Sequence, residues 1–144
     1  MHLDPSKLDL LVKSVDLFSG LSREDVEKIF SKGMTVRALK GEVIFFKGTT
    51  GSQMYVVLVG KMGVYDGDRL IATLHPGQMF GEMALVNREP RSATVKAEED
   101  GVLFVLTEST FQNLLSKRVA IQILLNIIRT LSARLKTKNT GPGA

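Results

Sequence analysis

The chain has 144 residues, enough for one domain around a single buried core. Its 19 lysines and arginines against 15 aspartates and glutamates give a net charge of +4, too mild and too scattered to mark a nucleic-acid surface. With no cysteine, disulfides, thiolate metal sites and cysteine nucleophiles are excluded.

The start, Met1-His2-Leu3-Asp4-Pro5, lacks the basic residues and apolar run of a signal peptide, and no apolar stretch is long enough to span a bilayer. A soluble, cytoplasmic protein is expected. Leu8, Leu11, Val12, Val15 and Phe18 recur at helical spacing. Ser22 then offers an N-cap with an acid, Asp25, three residues on. Leu21 and Val26 stand where a hydrophobic staple closes, and Gly33 is a natural stop.

From Met34 to Leu106 the pattern changes to short apolar runs punctuated by glycine: 43–46, 54–59, 62–65, 70–74, 93–97 and 102–106. Short strands at tight spacing predict an antiparallel sandwich or barrel. Asp66-Gly67 is a hairpin signal. Ser92 to Ala97 alternates as a half-buried strand does. Helix returns after Thr107, a candidate N-cap, with Phe111, Leu114 and Leu115 on one face. A longer helix follows from about Lys117 to Lys136. Ile121, Leu124, Ile128, Leu131 and Leu135 lie at heptad-like spacing, with Ile123, Leu125 and Ile127 beside that seam. The seam either packs on the β unit or pairs two copies of the chain. Lys117, Arg118, Arg129, Arg134, Lys136 and Lys138 fit a solvated helix whose cations suit its C-terminal dipole.

The segment from Phe80 to Val95 carries the chemistry. Gly81 lets the backbone approach a ligand closely. Glu82 to Val86 can form one helical turn whose first amides, lacking internal partners, serve as anion donors. Arg91 brings a permanent charge and a planar fork matching two phosphate oxygens. Pro90 restricts the backbone before it, and Ser92 adds a hydroxyl donor. Glu82 repels an anion but accepts hydrogen bonds, so it suits a sugar hydroxyl. Together these features describe a ring phosphate fused to a ribose. The bland alternative is a surface Arg91 ion-paired with Glu82 or Glu89. Met62, Met79 and Met83 read as core fillers, Tyr55 and Phe104 as core, and His75 as an exposed turn residue. With only His2 besides His75, there are too few imidazoles for a histidine metal centre, and nothing around His75 supports a hydrolytic triad. No enzymatic activity, metal or cofactor is expected.

Gly81-Glu82-Met83-Ala84-Leu85 followed by Pro90-Arg91-Ser92-Ala93-Thr94-Val95 resembles the phosphate-binding cassette of the cyclic-nucleotide-binding domain family. The resemblance extends through Gly41–Ile44, Gly51–Val57 and Gly60–Tyr65 and covers roughly 17–115. It implies a mainly β protein: an antiparallel β-roll or jelly-roll barrel (34–106), an N-terminal helical bundle (5–33), and C-terminal hinge and lid helices (107–138). Together these form one domain over 1–138, with a flexible tail at 139–144. It also implies that Arg91 holds the exocyclic phosphate oxygens and Glu82 the ribose 2′-hydroxyl. Amides near Met83, Ala84 and Ala93 complete the cradle, and Phe80 and Gly81 form its floor. Ser92 follows the arginine where relatives carry threonine or alanine, leaving cAMP favoured and cGMP open. For the lid, Arg129, Arg134, Ile127 and Leu131 stay as alternatives. The implied function is a regulatory sensor that moves its C-terminal helices. Alternatives are a ligand-independent domain of the same fold, or the sensor part of a larger channel, transcription factor or enzyme. The expected partners are a cyclic mononucleotide and, alternatively, a second copy of the chain. No direct nucleic-acid contact is expected, because few residues follow Lys136.

Overall fold

The computed structural model describes residues 10, 13–113 and 115–140, with side chains as far as 137. Leu8, Leu11, Val12 and Leu114 lie outside the described residues. Residues 10, 13 and 14 are helical, and a 3-10 turn follows at Asp16–Phe18.

Helix α1, Arg23–Lys32, starts as its sequence predicts. The Ser22 hydroxyl accepts from the Asp25 amide, and the Asp25 carboxylate accepts from the Ser22 amide. It stops at Gly33, but not through a left-handed cap, since Gly33 is near-extended with φ −99° and ψ −167°. Glycine is there for space: a Cβ would stand 2.4 Å from the Phe104 ring and 2.8 Å from the Val105 carbonyl oxygen.

Eight strands follow: β1 (Met34–Ala38), β2 (Val43–Phe45), β3 (Gln53–Val59), β4 (Met62–Asp66), β5 (Arg69–Leu74), β6 (Met79–Phe80), β7 (Thr94–Ala97) and β8 (Gly101–Thr107). They form two antiparallel four-stranded sheets, ordered β1-β8-β3-β6 and β2-β7-β4-β5. Each sheet keeps two open edges, so the β-roll is a pair of facing sheets rather than the closed barrel that was one expectation. Asp66 pairs with Arg69, which makes Gly67-Asp68 the two-residue hairpin loop. β1 and β6 were missed among the apolar runs. β1 is mostly exposed and β6 has only two residues, so neither carries enough periodicity.

The alternation of β3 explains the layering. Met54 and Val56 point into one core cluster with Leu17, Phe18, Val26, Ile29, Phe30 and Phe104. Tyr55 and Val57 point into a second cluster between the sheets, with Phe80, Val95, Leu103 and Val105. β3 and β8 are therefore buried on both faces, which is why they read as continuous apolar runs. The Phe30 and Phe104 rings stack at 4.4 Å, joining α1 to the first sheet.

Helix α2, Glu108–Asn113, begins where the Thr107 hydroxyl accepts from the Thr110 amide. Helix α3 runs from Lys117 to Thr140, past the expected start of the tail at 139. Its buried face is Val119, Ile123, Asn126 and Ile127. Asn126 donates to the carbonyls of Leu17 and Ser19 at 2.8 and 2.7 Å, fixing the middle of α3 on the 3-10 turn. The heptad seam is split. Leu124 and Leu131 pack on the core, while Ile121, Ile128 and Leu135 are exposed.

Candidate functional site

Strand β6 delivers Phe80 against Tyr55, their rings stacked at 4.9 Å, and the chain then turns sharply at Gly81. The Gly81 φ of 72° is left-handed, and a Cβ there would stand 2.8 Å from Arg91 Nη1. Glu82–Leu85 form a 3-10 turn. The Ala84 amide closes this turn on the Gly81 carbonyl at 3.1 Å. The Glu82 and Met83 amides precede that first internal bond, and no backbone partner accepts from either among the described residues. Met83 is exposed rather than a core filler, whereas Met62 and Met79 are fully buried.

Arg91 is held by its backbone and its side chain. Its amide donates to Thr49 O at 2.7 Å, and its carbonyl accepts from the Gly48 amide at 2.8 Å. The guanidinium donates to Gln53 O at 2.8 Å and Gly81 O at 3.2 Å and lies 4.2 Å over the Phe45 ring. No ion pair joins it to Glu82 or Glu89 among the described residues, so the bland reading of a surface pair is set aside. Burial pulls the guanidinium below its ordinary pKa, opposed by the nearby Tyr55 and Glu82. Its Nε is buried and has no hydrogen-bond partner among the described residues. An unmet buried donor costs about 1–3 kcal/mol, which an arriving anionic acceptor would offset.

Glu82 is buried at 5% exposure. Its partner comes from α3: Arg134 Nη1 lies 3.0 Å from Glu82 Oε1, and Arg134 Nη2 donates to Met79 O at 2.7 Å. Of the four lid alternatives, Arg134 and Leu131 reach this site. Ile127 is in the core and Arg129 lines a different depression.

All eight predicted residues, Phe80, Gly81, Glu82, Met83, Ala84, Arg91, Ser92 and Ala93, line one cavity of about 440 Å³. Val64, Ala72, Leu74 and Val95 add an apolar wall, and Leu131 and Arg134 stand on the α3 side. A larger, more open depression of about 540 Å³ lies between the 3-10 turn and α3 and shares only Arg134 with the cassette cavity. The cassette cavity is the better candidate, because it combines an apolar wall with converging charges. Phe45 and Gln53, which hold Arg91, were not singled out from the sequence. Their signal is tertiary, since Gln53 acts through its backbone carbonyl. His75 is exposed in its turn, and no group of three or more His, Cys, Asp or Glu placed to hold a metal occurs among the described residues.

Two facing sheets with helical flanks, and a glycine-led 3-10 turn set against a half-buried arginine, define a β-roll domain. The chain belongs to the cyclic nucleotide-binding domain family, whose model matches residues 35–118. It is 34% identical over 127 residues to the type II regulatory subunit of cAMP-dependent protein kinase from Drosophila melanogaster, covering 85% of this chain and 34% of that one. It also resembles the crystal structure of the Thermus thermophilus catabolite activator protein, with a TM-score of 0.76 and 32% identity, over 86% of this chain and 60% of that one. A cyclic nucleotide-binding domain from Methylobacillus flagellatus shares the fold, with a TM-score of 0.82 and 22% identity, over 96% of this chain and 83% of that one. The chain thus spans 34% of the kinase subunit and 60% of the activator. No helix among the described residues is long and apolar enough to cross a membrane.

Proposed function

We propose that this cavity binds a 3′,5′-cyclic nucleotide, with cAMP favoured over cGMP, and that the chain is a non-enzymatic regulatory module. The observation that carries the reading is the pairing of opposed charges across one cavity. Arg91 presents a buried Nε without a partner among the described residues, and Glu82 presents a carboxylate. The ring phosphate meets Arg91 and the free amides of the 3-10 turn, while the ribose hydroxyl donates to Glu82. The apolar wall of Val64, Ala72, Leu74 and Val95 takes the base. Leu131 and Arg134 place α3 against the same cavity, so occupancy biases that helix and supplies the output.

The test is calorimetric titration, side by side, with cAMP, cGMP, 5′-AMP and a cyclic dinucleotide. Binding of a cyclic mononucleotide in preference to 5′-AMP supports the reading. At about 1,000 times its dissociation constant a ligand stabilises the fold by about 4 kcal/mol, raising the melting temperature by several degrees. No shift with any of the four favours a ligand-independent domain of the same fold.

A second copy of the chain is the partner this reading assigns to α3. Ile121, Leu125, Ile128 and Leu135 are exposed on α3, an apolar stripe at steps of four, three and seven residues of the kind that a helix pair buries.

A further inference from the structure

Arg91 stands between two cavities. Besides the cassette cavity it lines a depression of about 230 Å³ on the loop between β2 and β3, and only Arg91 and Phe45 belong to both. Gly51 of that loop packs on the Nε–Nη2 edge of the guanidinium, where a Cβ would stand 2.4 Å from Nη2 and 3.0 Å from Nε. Nη1 donates to Gly81 O on the cassette side. A guanidinium carries five N–H donors. The carbonyls of Gln53 and Gly81 accept from two, so donors remain for both sides. The loop side holds no counter-charge: segment 47–53 contains no acid, and no salt bridge to Arg91 occurs among the described residues. Glu82, which acts on the guanidinium through space, belongs to the cassette cavity. The Thr49 hydroxyl is spent on Phe46 O and the Tyr55 hydroxyl on Gln53 Oε1. The Thr50 and Ser52 hydroxyls make no hydrogen bond among the described residues. The amides of Thr50, Gly51 and Ser52 have no backbone acceptor among them either.

We propose that this depression is a second anion site, apart from the cassette, which takes an inorganic oxyanion such as phosphate on the loop-side edge of Arg91. Hydroxyl and amide donors beside a half-buried, unneutralised cation are complementary to an anion. A water molecule occupies about 30 Å³, so the depression takes one tetrahedral oxyanion with a few waters. The oxyanion accepts from Nη2 and from the Thr50 and Ser52 hydroxyls. It draws on the same positive charge that the cassette offers to a cyclic phosphate. Two anions that share one guanidinium repel, so each weakens the other, and the coupling is reciprocal. The site itself stands apart from the cyclic-nucleotide reading, whereas its effect on nucleotide affinity rests on that reading.

The experiment has two arms, each on the full chain and on the Thr50→Ala/Ser52→Ala double variant. Both side chains are exposed, so the variant keeps the fold. In the first arm, thermal unfolding is followed in sodium phosphate and in sodium chloride of equal ionic strength. Phosphate at about twenty times a millimolar dissociation constant should raise the wild-type melting temperature by several degrees over chloride. The variant should keep only the general effect of an excluded salt. An equal rise in both proteins, or none in the wild type, would overturn the site. In the second arm, cAMP is titrated calorimetrically at rising phosphate and constant ionic strength. Without phosphate the two proteins should bind cAMP within about twofold of each other. Phosphate should weaken wild-type binding by about threefold to tenfold and then level off, because both anions are bound together. The double variant should not respond, nor should Ser52→Asp, in which the chain itself supplies the anion. A loss that grows without limit and equally in both proteins means simple displacement from the cassette and rules out a second site. Nucleotide binding indifferent to phosphate, with equal melting shifts, sinks the site and spares the cyclic-nucleotide reading. A wild type that binds no cAMP but keeps a phosphate shift absent from the double variant upholds the site and sinks that reading.

Discussion

The Arg118 guanidinium grips both carboxylate oxygens of Asp25, at 3.0 and 2.6 Å, tying the first turn of α3 to the first turn of α1. The same carboxylate closes the capping box of α1. The hydrogen bonds from Arg118 are the chief reason that its pKa falls from 3.8 to about 2, with Ser22 adding to the effect and burial opposing it. A carboxyl held below its unfolded pKa contributes stability that is complete above about pH 4 and is lost as the pH falls through about 2. Acid unfolding followed by circular dichroism should therefore show a limb between those values that Asp25→Asn flattens, with a melting temperature lowered by several degrees at neutral pH. An acid limb identical in the variant would show that other carboxyls govern it.

Arg91→Ala should weaken cyclic-nucleotide binding by about 2–5 kcal/mol, because it leaves the ring phosphate charge without its half-buried partner. Titration calorimetry checks this directly. Affinity within twofold of the wild type would remove Arg91 from the phosphate.

Gly51→Ala tests how Arg91 is held. A Cβ at Gly51 would lie 2.4 Å from Arg91 Nη2, so the guanidinium must leave the Gln53 carbonyl. Gly51 does not have a positive φ, so the backbone itself tolerates alanine. The expected outcome is about tenfold weaker ligand binding, roughly the loss of one aligned charged hydrogen bond, with the melting temperature nearly unchanged. Unaltered binding would mean that the observed position of the guanidinium is not the one that matters.

Ile128 is 60% exposed at the centre of the α3 stripe. Ile128→Glu should convert a dimer to a monomer in sedimentation equilibrium while leaving the folded structure intact, because the side chain makes no core contact that a charge would disrupt. A wild type that sediments as a monomer at high concentration would exclude pairing through this face.

Local features were legible in the chain. The capping box at Ser22 and Asp25, the Thr107 cap, the hairpin around Gly67 and the alternation of β7 depend on groups within a few residues of one another. The cassette was legible for the same reason, since Gly81, Glu82 and Arg91 lie on one short segment. Less legible were β1 and β6. Ladder partners distant in sequence define them, Val105 for Met34 and Val56 for Met79; β1 is mostly exposed and β6 has only two residues, so neither shows a period. The inward face of α3 was also ambiguous. Ile121, Ile123, Leu124 and Ile127 are all apolar, so only the position of the 3-10 turn that meets Asn126 chooses among the stripes.

Residue types and short spacings by themselves determined that the chain folds as helix, paired sheets and helix, and that Gly81, Glu82 and Arg91 fall on one segment whose residue types suit an anion beside a sugar. Only the tertiary structure decided which groups hold the two charges of that segment: Gln53 O, 38 residues from Arg91, and Arg134, 52 residues from Glu82. The reason is physical. Hydrogen bonds between neighbours in sequence follow from local geometry, whereas the partner of a buried charge is whichever distant group the packed core brings within reach.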